Sequence, residues 1–172
     1  WRAGGLVDRT AMLGAMLLNA LPTFVTAPLL ALVFGLWLGW LPVSGWRDGQ
    51  PVALLLPAVA LALPTLGAVA RLTRAGLADV LGQDFIRTAR AKGLGAATIL
   101  RRHALKPALI PVVSYLGPAA AGLLTGAVII ETVFALPGLG RYFVQGALNR
   151  DYPLVLGVVV LYAALIILFN LL

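Results

Sequence analysis

The sequence contains no cysteine and one histidine, His103, in 172 residues. Neither a disulfide framework nor a thiolate or His-rich metal centre can be assembled from that stock. Acidic side chains are scarce, 6 against 13 Lys and Arg, which leaves a formal charge of +7. No Gly-x-x-x-x-Gly-Lys-Ser/Thr run occurs, so the chain has no P-loop to cradle ATP phosphates. No His-Glu-x-x-His pair and no Ser/His/acid set is present for hydrolysis. The expectation is a protein with no catalytic residue, no cofactor and no metal, and not an enzyme in its own right.

What is abundant is apolar surface. Hydrophobic residues make up 61% of the chain and charged residues 11%, against roughly 45–50% and about 25% in soluble domains. The charges are also segregated: none lies between Arg9 and Arg47, between Asp48 and Arg71, between Lys106 and Glu131, or between Asp151 and Leu172. Each gap is at least as long as a membrane-crossing helix, about 20 residues. An all-α, polytopic transmembrane bundle follows, with spans near 12–40, 52–70, 108–131 and 153–172 in one domain over 1–172. Pro22 and Pro28 kink or tilt the long first span. Prolines at 57, 64, 111 and 118 make the others imperfect helices, which a bilayer tolerates where neighbours satisfy the freed backbone groups. Gly35/Gly39 and Gly122/Gly126 have the spacing that lets helices pack closely. The chain begins at Trp1 and stops inside an apolar run at Leu172, as expected of a segment of a longer chain.

The positive excess reads as topology rather than nucleic-acid binding. The stretch 71–106 carries Arg71, Arg74, Arg87, Arg90, Lys92, Arg101, Arg102 and Lys106 against Asp79 and Asp84. Each Lys or Arg at a helix centre costs roughly 2.5–3.5 kcal/mol, so these stay out of the bilayer and mark the cytoplasmic side, with Arg2 and Arg9. The loop 41–51 and the segment 132–152 then lie outside. Trp37, Trp40 and Trp46 suit an outer aromatic belt, and Pro137, Gly138 and Gly140 suggest a short re-entrant or interfacial piece.

The 71–106 loop is patterned. Leu77, Leu81 and Phe85 fall on one helical stripe, Gly93 and Gly95 interrupt it, and Ile99, Leu100 and His103 resume it. This reads as helix, turn, helix, and a loop of that length in a compact protein is usually functional.

Within it, Arg87-Thr88-Ala89-Arg90-Ala91-Lys92-Gly93 resembles the EAA-type motif of permease subunits of binding-protein-dependent ABC importers, the MetI-like family. That motif runs Glu-Ala-Ala, three residues, Gly, nine residues, Ile-x-Leu-Pro. Ala89, Gly93 and Leu105 keep their places. Arg87, Thr88, His103 and Lys106 replace the Glu, first Ala, Ile and Pro, His103 stands ten places past Gly93, and Pro107 follows Lys106. These departures are the variant of the dipeptide/oligopeptide subfamily, whose loop reads like Asp-Phe-Ile-Arg-Thr-Ala-Arg-Ala-Lys-Gly and then His-Ala-Leu. Leu21-Pro22-Thr23-Phe24, the run Gly126 to Phe134 followed by Pro137-Gly138-Leu139-Gly140, and Arg150-Asp151-Tyr152-Pro153 are similar to the same subfamily. The resemblance covers essentially the whole chain in order.

The resemblance implies a multi-pass subunit of a bacterial or archaeal inner membrane that forms half of a translocation pore. Its implied partners are a homologous second permease subunit, two cytoplasmic ATPase subunits and an extracytoplasmic solute-binding protein, within membrane lipid and without nucleic acid. It implies di- or oligopeptides as cargo, with nickel and glutathione systems in the same subfamily. Arg87, Thr88, Ala89, Arg90, Ala91, Lys92, Gly93, His103 and Leu105 become the ATPase-docking set. Physically, Gly93 permits the tight turn, Ala89 and Ala91 permit close approach, and Arg90 and Lys92 offer charge-assisted contacts. Glu131 and Phe134 are candidates for a substrate gate, although solvation or a pair with Arg141 at the outer interface is the favoured reading of Glu131. His103 suits packing rather than proton relay, and Arg71 and Arg74 suit interfacial anchoring. A secondary transporter or channel is the competing class; it needs intramembrane charge for ion coupling, which these spans barely offer.

Overall fold

The computed structural model describes residues 4–43, 45–46 and 50–171. Among them the regular elements are all helical: α1 Leu6–Ala20, α2 Thr23–Trp37, α3 Pro51–Leu81 and α4 Asp84–Ala91. After these, α5 runs through Ala96–Thr98, Ile99–Ala104 and Leu105–Ala108, and α6 Ile110–Val133, α7 Leu139–Leu148 and α8 Tyr152–Leu171 complete the chain. Helices α3, α6 and α8 are each long and apolar enough to cross a membrane, and α1 with α2 make a fourth span if that bent pair counts as one. Arg2, Arg47, Asp48 and part of the 41–51 loop lie outside the described residues.

The first span is not one helix. α1 ends at Ala20, and Pro22 has extended backbone (φ −62°, ψ 145°) as the N-cap of α2. Proline cannot donate to a helix ladder and pushes the residue before it out of the α region. Farther on, Ala31–Trp37 widens into a π-helix, and the Leu38 N–H reaches back five residues to the Val33 carbonyl at 3.0 Å.

The second apolar run continues past its expected end. α3 covers 31 residues, about 46 Å at 1.5 Å per residue, against a hydrocarbon core of about 30 Å. The helical phase of Leu77, Val80 and Leu81 carries it beyond residue 70 without a break. Arg71 and Arg74 therefore sit on a rigid extension of the span, not in a flexible loop.

The chain divides into two compact units, Trp1–Asn19 with Leu66–Leu116, and Ala20–Thr65 with Gly117–Leu172. In the first, Val80, Ile86, Ala89, Ile99, Ala104 and Ala108 form a buried core flanked by Leu77 and Leu81. In the second, Ala27, Ala31, Leu56, Ala60, Ile130 and Phe134 form another, flanked by Phe34, Leu41 and Leu136 among others. Trp37, Trp40 and Trp46 are exposed.

The glycines that let helices touch are not the ones the GxxxG spacing singles out. A Cβ on Gly67 would strike the Ala15 carbonyl oxygen of α1, and one on Gly117 would lie 2.6 Å from the Phe169 carbonyl oxygen of α8. By contrast, Gly122 faces open space, Gly39 lies beyond α2 at φ 64° in open space, and Gly126 makes only an ordinary 3.4 Å contact with Leu61. Of those two pairs, Gly35 alone is tightly filled, by the Val43 side chain.

Candidate functional site

The 71–106 region is a folded helical hairpin. Gly82 and Gln83 end α3: the Gly82 N–H donates to the Asp79 carbonyl at 3.3 Å and Gln83 N–H to Val80 at 3.1 Å. Gln83 then turns to extended backbone (φ −78°, ψ 156°) and opens α4. Asp84 in the first turn complements the helix dipole. Its pair with Arg87 at 3.1 Å is exposed on both sides, so it adds little.

That break resets the helical phase, which corrects the expected stripe. Phe85 does not continue Leu77 and Leu81 inward; it is 43% exposed, while Ile86 is fully buried. Burying such a side chain contributes about 1.5–3 kcal/mol where the alternative is water.

Helix α4 stops on Gly93. The Leu94 N–H donates to the Ala89 carbonyl at 3.3 Å and Gly93 N–H to the Arg90 carbonyl at 2.9 Å, with Gly93 at φ 78°. This paired closure satisfies two carbonyls that would otherwise be orphaned, and it needs the left-handed residue that glycine supplies.

Helix α5 returns through a π-helical stretch, Ile99–Ala104, in which the Leu105 N–H reaches the Leu100 carbonyl. Pro107 follows; it has no N–H to give and its ring crowds the preceding turn. Where α5 ends, it lies against α3 so closely that a Cβ on Gly76 would strike the Ala108 carbonyl oxygen.

The sequence-derived docking set therefore splits. Arg87, Thr88, Arg90, Ala91, Lys92 and Gly93 are exposed along α4 and its turn, and Leu105 is exposed on α5. His103 is half-buried beside Ala104. Ala89 is 5% exposed and belongs to the core of its own hairpin, so the close approach it permits is internal. A cavity of about 340 Å³ beside α4 is lined by Leu81, Arg90, Ala96, Ala97, Ile99 and Leu100.

Sequence reasoning missed one ion pair. Arg74 Nε donates to Asp8 Oδ1 at 2.8 Å and its Nη2 to Oδ2 at 2.9 Å, and the Gly4 N–H also donates to Oδ2. The Asp8 side chain is 4% exposed and that of Arg74 38%. Arg74 thus ties α1 to the extension of α3 by a two-pronged bond, the geometry in which Arg–carboxylate pairs are strongest. The available signal was Asp8 itself, an acid among apolar residues next to a basic stretch.

The other end of α6 holds a second constellation. The Leu136 N–H donates to the Glu131 carbonyl at 2.9 Å and Ala135 N–H to the Thr132 carbonyl at 3.4 Å, with Ala135 left-handed at φ 50°. This is the same closure as at Gly93, made without glycine. Ala135→Gly is expected to stabilise the protein by about 1 kcal/mol, seen as a higher thermal midpoint in detergent.

The Glu131 side chain then folds onto the next helix. Its Oε2 accepts the Gly140 N–H at 2.7 Å, the second residue of α7. Its carboxylate fills the space where a Gly138 side chain would be, and a Cβ on Gly140 would meet the Val128 backbone. Both glycines are thus explained as contact surfaces for α6. Among the described residues Glu131 has no ion pair with Arg141. Phe134 is 1% exposed and packs in the core, and its carbonyl accepts the Gly45 N–H at 2.8 Å. After α7, Arg150 is left-handed at φ 56° and Asp151 Oδ1 accepts the Leu154 N–H at 3.2 Å to start α8. Among the described residues no cluster of three or more His, Cys, Asp or Glu could hold a metal.

Comparison with known proteins gives this geometry its context. Residues 2–172 match the family model described as binding-protein-dependent transport system inner membrane component. The oligopeptide transport system permease protein OppB of Haemophilus influenzae is 49% identical over 163 residues, 95% of this chain and 53% of that protein. OppB of Salmonella typhimurium is 53% identical over 158 residues, 92% of this chain and 52% of that one. The dipeptide transport system permease protein DppB of Bacillus subtilis is 43% identical over 166 residues, 96% of this chain and 53% of its own. The chain therefore spans about half the length of these curated relatives. With its apolar helices and a family model matched along nearly its whole length, the chain belongs to the inner membrane components of binding-protein-dependent transport systems.

Proposed function

We propose that this chain is the pore-forming part of a permease subunit in an ATP-driven importer of di- or oligopeptides. In this reading it pairs with a homologous second permease, residues 71–106 face the cytoplasm and dock a separate ATPase subunit, and an extracytoplasmic binding protein delivers cargo. Peptides are favoured over nickel or glutathione because the relatives are oligopeptide and dipeptide transport permeases.

The observation that carries the docking reading is the division of α4 into two faces. Ile86 and Ala89 anchor it in a core shared with α3 and α5, while Arg87, Thr88, Arg90, Ala91 and Lys92 project outward. A helix held on a packed hairpin can pass on a push; a solvated loop cannot. Coupling then runs from ATPase closure to α4, through the buried core to α3, and so to the spans. Gly76 against Ala108, Gly67 against Ala15 and Arg74 on Asp8 are points at which α3 engages its neighbours in that unit.

Gly93→Arg is expected to abolish co-purification of the ATPase while leaving membrane insertion intact, because a left-handed arginine costs about 1–2 kcal/mol of strain at the end of α4. Since that variant also disturbs the turn, the surface variant Arg90→Glu with Lys92→Glu serves as a second test. It preserves the core and should weaken ATPase binding by about tenfold or more, as reversing interfacial charge does. Undiminished ATPase binding by both variants overturns the docking surface, and uptake that persists on an ion gradient without the ATPase overturns the importer.

A further inference from the structure

Between α1 and the extension of α3 lies a cavity of about 510 Å³, within the size range of small-molecule sites, about 300–1,000 Å³. Its walls are of two kinds. Arg9, Arg71 and Arg74 form one side, and Met12, Leu13 and Met16 form the other. The Asp8 carboxylate in the same wall is held in the bidentate bond to Arg74. Among the described residues neither Arg9 nor Arg71 has an acidic partner.

The position along the chain matters as much as the lining. Arg9 is the last charge before the apolar run that ends at Arg47, and Arg71 is the first charge after the run that begins at Asp48. The cavity therefore sits where both helices pass from apolar to charged sequence, the level of the headgroups in a membrane protein. Met12, Leu13 and Met16 lie about one to two turns deeper into the apolar run of α1, and Leu13 and Met16 are more than half exposed.

We propose that this cavity is a binding site for an anionic phospholipid. The headgroup phosphate would lie against the Arg9 and Arg71 guanidiniums, which suit phosphate through planar, charge-assisted hydrogen bonds. The acyl chain would run down the Met12, Leu13 and Met16 wall. A soluble phosphate would use the arginines and leave that wall bare; a zwitterionic lipid would leave the excess positive charge uncompensated. Basic pockets between membrane helices are the usual place for retained acidic lipids. The site uses none of the side chains assigned to ATPase docking, so it stands or falls separately from that reading.

The test is lipid retention by the full-length subunit in its assembled complex, purified from nanodiscs of mixed phosphatidylcholine and phosphatidylglycerol. Phosphatidylglycerol should be enriched on the protein over the bulk disc. Arg9→Ala with Arg71→Ala should lower that enrichment by about tenfold or more, at about 1 kcal/mol per arginine near the surface. Arg9→Lys with Arg71→Lys should keep most of it, and Arg141→Ala should leave it unchanged. Met16→Gln, on the apolar wall, should also reduce lipid retention. Enrichment that survives the double alanine variant overturns the proposal. So does displacement of the lipid by inorganic phosphate, which would make this a free-anion site, and so does absence of enrichment in the assembled complex while the isolated subunit retains lipid, which would mean that a partner subunit fills the cavity.

Discussion

Gly76→Ala is expected to loosen the hairpin that carries α4, lowering stability by about 3 kcal/mol and, on the proposed docking reading, stopping both ATPase binding and uptake. The added methyl would clash with the Ala108 carbonyl oxygen and would lie 3.1 Å from its carbonyl carbon and 3.3 Å from its Cα. These are backbone atoms of a packed helix, so no rotamer change relieves the clash. Either α3 and α5 separate, which opens the core of Val80, Ile86, Ala89, Ile99, Ala104 and Ala108, or the overpacking energy is stored, at about 1–3 kcal/mol and occasionally more. The thermal midpoint should fall by roughly 5–10 °C. Gly82→Ala, in the turn just past the end of α3, is the control. Its added methyl would meet only ordinary contacts, the nearest 3.5 Å from the Asp79 carbonyl oxygen, and should change the midpoint little. Equal behaviour of the two variants would show that the crossing at Gly76 does not limit the stability of the hairpin.

Gly76 also marks the border of what the sequence could reveal. Membrane residence and helical class were legible because they depend on local quantities: long charge-free runs set against a length the bilayer fixes. The turn at Gly93 was legible for the same reason, since an interrupted helical pattern ending in glycine has one common physical solution. Helix crossings are different. Gly67, Gly76 and Gly117 are contact points because of what faces them from elsewhere in the chain, whereas the GxxxG spacing of Gly122 and Gly126 is a property of one helix alone. The Asp8–Arg74 pair was hidden likewise, its members being 66 residues apart. Phe85 failed for a local reason. Extending the stripe of Leu77 and Leu81 through Gly82 ignored the phase change that a helix break imposes, and one such slip moves Ile86 inward and Phe85 out. Glu131 was the nearest miss. Its hydrogen-bond partner is nine residues away, and a carboxylate preceding a Pro-Gly-x-Gly helix start is a pattern that dipole arguments could have supplied.

Removing that carboxylate is the other change with a large expected effect. Glu131→Ala should destabilise the unit of Ala20–Thr65 with Gly117–Leu172 by about 2–3 kcal/mol, the range for a hydrogen bond to a charged acceptor together with loss of a helix-terminal anion. The void it leaves sits directly over Gly138, and the Gly140 N–H at 2.7 Å loses its acceptor. Glu131→Gln keeps the shape and an accepting oxygen while losing the charge, so it should retain about half of the stabilisation. Glu131→Asp keeps the charge but shortens the reach and should resemble the alanine variant. Limited proteolysis within Leu139–Leu148 and thermal unfolding in detergent follow the structural consequence, and uptake follows the transport consequence. If Glu131 acts by holding α7 on the end of α6, the three variants should rank the same way in stability and in uptake, with Gln the mildest. If instead the carboxylate meets cargo at an outer gate, Gln should abolish uptake while leaving α7 as protected as in the unaltered chain. The bond to Gly140, which uses the carboxylate inside the fold, favours the first ranking.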